Sequence, residues 1–295
     1  MRYAVLGAGG VGGLVGGALA KAGHPMTLLV RPGRRDHYPE RLSVQSEALG
    51  RFEAPVRVAE RLEEAFDIVW ITVKATALEA ALEAIPPDEL GSAIVVPLLN
   101  GVDHIGELRD RYGPERVLPG AIRVEAEQTG PGRVRHLSSF ADVQVAPMPA
   151  TRARAEILCE ELRGAGLTCE VRDDEVTMLW SKLCFLAPFA LSTTASGGPL
   201  GVVRSDAQWY ALLGACVSEA CAVGIAEGAE VAPEPVIAAL EGLPEGFRSS
   251  MQKDVAAGRP PELDAIAGPI LRRGTEHGID VSATRVLVDR ILTLE

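Results

Sequence analysis

Three groups of residues in this sequence have types and spacings that can do chemistry. The first is Gly7-Ala8-Gly9-Gly10-Val11-Gly12, which fits the pattern GxGxxG. In that pattern Gly7 permits a tight turn, Gly9 lets backbone approach a pyrophosphate, and Gly12 lets the following helix pack on the preceding strand. The helix N-terminus adds amide donors and a favourable dipole. The bare pattern is weak, and a glycine-rich turn without a ligand is the alternative. The context argues for a nucleotide, because the apolar β-type run Tyr3 to Leu6 precedes the turn and a helical segment follows it.

The second group lies at the ends of later strands. Where a dinucleotide fold usually places a carboxylate for the ribose hydroxyls, this chain has Arg31, with Arg34 and Arg35 close behind. An arginine can clamp a 2'-phosphate bidentately, so NADP (NADPH) is the expected cofactor, with a solvated basic loop as the other reading. Lys74 ends the run Asp67 to Val73, and Asn100-Gly101 follows the run Ala93 to Leu98. Both should lie at the carboxyl edge of a parallel sheet, where ligands bind. A surface lysine and a simple Asn-Gly turn are the bland alternatives.

The third group is in the second half of the chain. The helical neighbours of Lys182 are Met178, Leu179, Phe185 and Leu186, so both adjacent turns of its face are apolar. Such a lysine either snorkels to the surface or points into a cleft, where desolvation lowers its pKa towards a value useful for general acid chemistry. Ser249-Ser250-Met251-Gln252 reads as a capping box in which Ser249 and Gln252 satisfy backbone amides, a role that leaves Ser250 able to bind ligand. Glu262, after Pro260 and Pro261, reads by itself as an electrostatic cap. The five histidines are isolated, without the serine or cysteine arrangement of a hydrolase.

These groups need a scaffold. Short runs without polar alternation, Tyr3 to Leu6, Met26 to Val30, Asp67 to Val73 and Ala93 to Leu98, predict strands buried on both faces. Gly13 to Ala22 and Thr76 to Ile85 read as the helices between them. Further strands are expected at Arg116 to Ile122, Arg133 to Leu137, Val143 to Ala146 and Thr168 to Val171, with a helix from about Ala150 to Ala165. From Asp173 onward the pattern is mostly helical: Asp173 to Leu191, Asp206 to Glu227, Pro233 to Leu240 and Asp264 to Glu276. The fold class is therefore α/β, an N-terminal Rossmann-type doubly wound sheet followed by an all-helical C-terminal domain. Residues 1–172 form the NADP-binding domain and 173–295 a helical substrate and dimerisation domain, with a cleft expected between them.

A chain of 295 residues suits two domains, and 47% hydrophobic with 23% charged residues suits a folded protein. The net charge of -11 argues against binding nucleic acid or an anionic membrane. Residues 3 to 20 carry no charge, but their seven glycines suit a turn better than a signal or anchor helix. Cys159, Cys169, Cys184, Cys216 and Cys221 are odd in number and lack metal-ligand spacing, so reduced thiols, no metal site and a cytoplasmic location are expected.

With GAGGVG near the start, Arg31, Thr72-Val73-Lys74, Asn100-Gly101, Trp180-Ser181-Lys182-Leu183, Ser249-Ser250-Met251 and Glu262-Leu263-Asp264, the sequence resembles the ketopantoate reductase family nearly end to end. The resemblance implies that Gly7, Ala8, Gly9, Gly10, Val11, Gly12, Arg31 and Lys74 bind NADPH. It implies that Asn100 lies between cofactor and substrate, that Ala126 touches the nicotinamide end and that Lys182 is catalytic. It also implies that Ser250 binds substrate and that Glu262 contacts the cofactor and shares in catalysis. The implied reaction is reduction of the C2 ketone of ketopantoate to pantoate, a step of pantothenate biosynthesis, in a cytoplasmic homodimer. One departure stands out. The family usually carries asparagines four and eight positions after the lysine, where this chain has Leu186 and Ala190. A site that loses such donors loses discrimination for a polar substrate. Ser192, Thr193 or Thr194 could compensate. Otherwise the substrate is a bulkier or more apolar 2-oxo acid, or the chain is a noncatalytic NADPH sensor.

Overall fold

The computed structural model describes residues 1–294. The chain opens with β1 (Tyr3–Leu6), α1 (Gly10–Lys21) and β2 (Met26–Leu29), then runs through β3 (Arg41–Ser46), β4 (Gly50–Pro55) and β5 (Arg57–Ala59). Alternation resumes with β6 (Ile68–Ile71), α2 (Leu78–Leu82), β7 (Ile94–Pro97) and α3 (His104–Tyr112). After β8 (Gly120–Arg123), β9 (Ala126–Gly130), β10 (Arg133–His136) and β11 (Asp142–Val145) come α4 (Arg152–Gly164) and β12 (Thr168–Val171). The remainder is helical: α5 (Glu175–Ser196), α6 (Leu200–Ser205), α7 (Ala207–Ala226), α8 (Pro233–Glu241), α9 (Ser250–Ala256), α10 (Leu263–Glu276) and α11 (Ser282–Leu292).

β1, β2, β5, β6 and β7 form an all-parallel sheet in the order β5-β2-β1-β6-β7. Every residue of β1, β2, β6 and β7 is buried, which is why these strands read as unbroken apolar runs. The Rossmann-type half is thus as expected, with additions. A second sheet, β4-β3-β10-β9, contains three strands with no counterpart in the sequence reading. Its β3 alternates buried Leu42 and Val44 with polar neighbours, so it lacks the continuous hydrophobicity that marks the parallel strands. A third sheet has the order β12-β11-β8. The segment read as a helix over Thr76 to Ile85 is a short 3-10 turn followed by five residues of α2.

The glycines of α1 have a packing role. A Cβ on Gly13 would lie 2.4 Å from Val134 Cγ2, and one on Gly17 would lie 2.8 Å from Val44 Cγ2. The second sheet therefore closes directly on the helix backbone, and the glycine density is not explained by ligand binding alone. α4 packs on β12 and brings the buried Cys159 and Cys169 together as a disulfide, with Cα atoms 5.0 Å apart. This corrects the expectation of five reduced thiols: spacing along the chain does not show that a helix and the next strand face one core. Cys184, Cys216 and Cys221 are free and buried.

The chain divides into two compact units, Met1–Leu99 with His104–Glu175, and Asn100–Asp103 with the chain from Val176 onward. Asn100–Asp103 thus groups with the helical unit although β7 before it and α3 after it belong to the other. In the helical unit, Asp206 Oδ1 accepts from Gln208 N and Trp209 N to cap α7. The Glu219 carboxylate on α7 accepts from Ala283 N and Thr284 N at the start of α11. Glu175–Ser196 and Ala207–Ala226 are long and apolar enough by length and composition to cross a membrane, and most of the first is buried within the fold.

Candidate active site

In the strand-rich unit, β1 ends in the glycine turn. Gly7 has φ +100°, a conformation for which glycine is the natural choice, and its carbonyl accepts from Gly9 N at 2.7 Å. Thr72 Oγ1, just past β6, donates to Gly7 O at 2.7 Å and to Leu6 O at 3.2 Å. Gly12 is packed so tightly that a Cβ would lie 2.3 Å from Thr72 Oγ1, and one on Gly10 would lie 2.2 Å from the Ala126 carbonyl oxygen. A Cβ on Gly9, by contrast, meets nothing within 4 Å. α1 begins at Gly10 with neither a side-chain cap nor an acidic residue in its first turn. Open space at Gly9 beside an uncapped helix N-terminus fits a pyrophosphate.

The other ends of the parallel strands carry the expected groups. Arg31 is exposed two residues after β2, and Lys74 is exposed three residues after β6, at the start of the 3-10 turn. The loop after Arg31 is shaped by Glu60, whose Oε1 accepts from Gly33 N at 2.7 Å and from Arg35 N at 3.4 Å. Ala126 reaches the turn through its carbonyl, against Gly10. Gln128 was not anticipated. Its Nε2 donates to Ala8 O at 2.7 Å and to Tyr38 Oη at 3.1 Å, tying β9 to the glycine turn. Nothing in local spacing signals this bond, because β9 itself was not legible in the sequence.

The helical unit holds Asn100, Lys182, Ser250 and Glu262. Lys182 lies on α5, partly exposed, and desolvation lowers its amine pKa from 10.5 to about 8. The Glu262 carboxylate acts against that shift, favouring the cation. Glu262 is buried at the N-cap position of α10, and its side chain makes no cap hydrogen bond there. Its Oε2 instead accepts from Asn100 Nδ2 at 3.3 Å. Glu262 thus stands at the helix start as read, without a cap hydrogen bond, and its carboxylate meets a different segment of chain.

Ser249 is buried and caps α9, with its Oγ accepting from Gln252 N at 3.1 Å and lying 3.0 Å from Thr193 Oγ1. Gln252 turns its Nε2 to Gly198 O at 2.8 Å, so the capping box is only half formed. Ser250, the first residue of α9, is exposed. Leu186 is partly exposed and Ala190 is fully buried. The Ser192 and Thr193 hydroxyls bond back to Pro188 O and Phe189 O, one turn earlier in their own helix. Both are fully buried, and Thr193 Oγ1 also meets Ser249 Oγ. Thr194 Oγ1 is buried with no hydrogen-bond partner among the described residues.

Models of two consecutive segments match the chain: ketopantoate reductase PanE/ApbA over residues 3–150, and ketopantoate reductase PanE/ApbA C terminal over residues 175–295. The chain belongs to the ketopantoate reductase family. It is 32% identical to a 2-dehydropantoate 2-reductase of Caulobacter vibrioides, over 97% of this chain and 96% of that one. Among solved structures it is similar to a PanE/ApbA family ketopantoate reductase of Ralstonia eutropha JMP134, with TM-score 0.87, 29% identity and coverage of 100% and 98%. A 2-dehydropantoate 2-reductase of Geobacter metallireducens GS-15 gives TM-score 0.90 and 26% identity, with full coverage of both chains. As a ketopantoate reductase family member the chain is an oxidoreductase acting on a 2-oxo acid and 2-hydroxy acid pair, and the family binds a nicotinamide cofactor.

Proposed function

We propose that this protein is an NADPH-dependent 2-dehydropantoate 2-reductase in which Lys182 is the proton donor. The observation that carries this reading is that Lys182 shares one unit with the 3.3 Å hydrogen bond from Asn100 to the buried Glu262 carboxylate, whose charge favours the protonated amine while burial works against it. Such an amine holds a proton at neutral pH and releases it readily, as a general acid must. Its charge also interacts more strongly as negative charge grows on the carbonyl oxygen, which is differential binding of the transition state.

Bound NADPH supplies a hydride. Gly7 to Gly12, with Ala8 and Val11 between the glycines, would hold its pyrophosphate, Arg31 its 2'-phosphate, and Lys74 and Ala126 the remainder. Arg31 supports NADPH over NADH because a guanidinium neutralises a phosphate that a carboxylate would repel. Lys182 gives its proton to the substrate oxygen, Ser250 holds the substrate carboxylate, and Asn100 with Glu262 orients the amine. The cofactor domain would be residues 1–172 and the substrate domain 173–295, with Asn100 as the donation of the first to the second. A cytoplasmic homodimer completes the proposal, and a sizing column tests the dimer.

A second reading is favoured by one part of the structure. Next to Lys182 on α5 stand Phe185 and Leu186, and Phe189 stacks on Phe247 with ring centroids 5.4 Å apart. With Leu186 in place of a donor, the partly exposed side chains of Phe185, Leu186 and Phe247 suit a bulkier 2-oxo acid, while Phe189 and Ala190 are buried behind them. NADPH consumption with ketopantoate, compared with NADH and with branched or aromatic 2-oxo acids, tests both. Rapid NADPH-selective turnover of ketopantoate supports the first reading, and a higher kcat/KM for an apolar substrate supports the second. Tight NADPH binding without turnover of any of them would mean a sensor.

A further inference from the structure

We propose that Asp103 is a positioning residue for the reaction, acting with Arg272 and Arg273 as a clasp that registers Asn100 on Glu262. The proposal rests on the roles given above to Asn100, Lys182 and Glu262.

The segment Asn100–Asp103 lies along α10 at successive points. Asn100 Nδ2 donates to Glu262 Oε2, and Gly101, with φ +83°, approaches so closely that a Cβ would lie 2.3 Å from the Ala265 carbonyl oxygen. Asp103 Oδ2 accepts from Arg272 Nη2 at 2.6 Å, and Oδ1 accepts from Arg273 Nη2 at 2.8 Å. The Arg272 guanidinium lies across Gly268, where a Cβ would sit 2.6 Å from both of its terminal nitrogens. Its Nη1 also donates to Asp264 Oδ1 at 2.6 Å.

Asn100 to Asp103 is a bend and turn with Gly101 in the left-handed region, and one carboxylate held by two guanidiniums resists both sliding and rotation of that bend along α10. A glycine at position 101 gives no rigidity of its own, so the register depends on Asp103.

Arg273 extends the device to the lysine's helix. Its Nη1 is 3.1 Å from Glu227 Oε2, and its guanidinium lies 5.6 Å from the ring centre of Trp180, a buried residue of α5 two positions before Lys182. Asp103 is thus linked at one end to the carboxamide that meets Glu262 and at the other to the helix that carries the amine. A displacement of Asn100 by about 1 Å is enough to cost on the order of a hundredfold in rate.

The test is a double-mutant cycle between Asp103→Ala and Asn100→Ala, with Asp103→Asn as a milder variant should the alanine change unfold the protein. Asp103→Ala should lower kcat by roughly 10- to 100-fold while leaving NADPH affinity within about twofold, and Asp103→Asn should fall in between. On the Asn100→Ala background it should cost little more, because the residue acts through Asn100. Additive losses, or an unchanged kcat in both Asp103 variants, would overturn the proposal. Absence of wild-type turnover would sink the functional reading instead. The clasp is then judged by acylation of the Lys182 amine as a function of pH, read by mass spectrometry. A midpoint displaced equally by Asp103→Ala and Asn100→Ala supports it, and a midpoint moved by the second alone rejects it.

Discussion

The glycine turn and the lysine site are built in opposite ways. At the turn, backbone is brought close to backbone by leaving side chains out: Gly7, Gly10 and Gly12 each sit where a Cβ would collide with Val73, Ala126 or Thr72. At the lysine, side chains from three separate stretches, Asn100, Lys182 and Glu262, meet within the helical unit. The first construction is local and sterically strict, and the second is distributed and electrostatic. Damage to the first should therefore appear as lost folding and cofactor binding, and damage to the second as lost turnover in an intact protein.

The largest test of that contrast is Lys182→Ala. We expect kcat to fall by about 10²- to 10⁴-fold with NADPH affinity nearly unchanged, measured by steady-state kinetics and cofactor fluorescence. Unaltered turnover would remove the lysine from the mechanism. Gly12→Ala should do the reverse, destabilising the fold by about 1–3 kcal/mol in denaturant titration and weakening cofactor binding. A Gly12→Ala protein of normal stability and affinity would break the steric account.

Arg31→Glu should reduce the preference for NADPH over NADH by roughly 10- to 100-fold, read as the ratio of kcat/KM values. A ratio that does not move would make Arg31 a solvated loop residue. The lysine site should also declare itself in pH dependence. The protonated amine is the working form, so kcat/KM for reduction should be high below the Lys182 pKa of about 8 and decline above it. Glu262 raises that pKa, so Glu262→Gln should move the alkaline limb to lower pH, and an upward shift would contradict the assigned coupling. The smallest effect is expected for Leu186→Asn, which should improve ketopantoate KM by roughly 3- to 10-fold if one restored donor reaches the substrate.

Four strands of the parallel sheet, β1, β2, β6 and β7, were legible because burial on both faces leaves an uninterrupted apolar run, and the three-residue edge strand β5 was not. The glycine turn was legible because steric need is written in consecutive residues. β3, β4 and β9 were not, since a strand with one exposed face and several charges has no such run, and with β9 went the Gln128 to Ala8 bond. The capping reading of Ser249 was half right. Its hydroxyl takes the Gln252 amide, while the Gln252 side chain finds a carbonyl 54 residues away in sequence.

Alone, the sequence determined four parallel strands, the glycine turn and the presence of a lysine on an apolar helix face, because each depends on neighbours within about two helical turns or one strand. Only the tertiary structure decided that Glu262 accepts from Asn100, that Cys159 meets Cys169, that Thr193 bonds back in its own helix and also meets Ser249, and that Asp103 lies between two arginines of α10. The reason is physical. A buried charge or hydroxyl takes whichever partner the packing brings within about 3 Å, and that choice is made between segments that chain spacing does not relate.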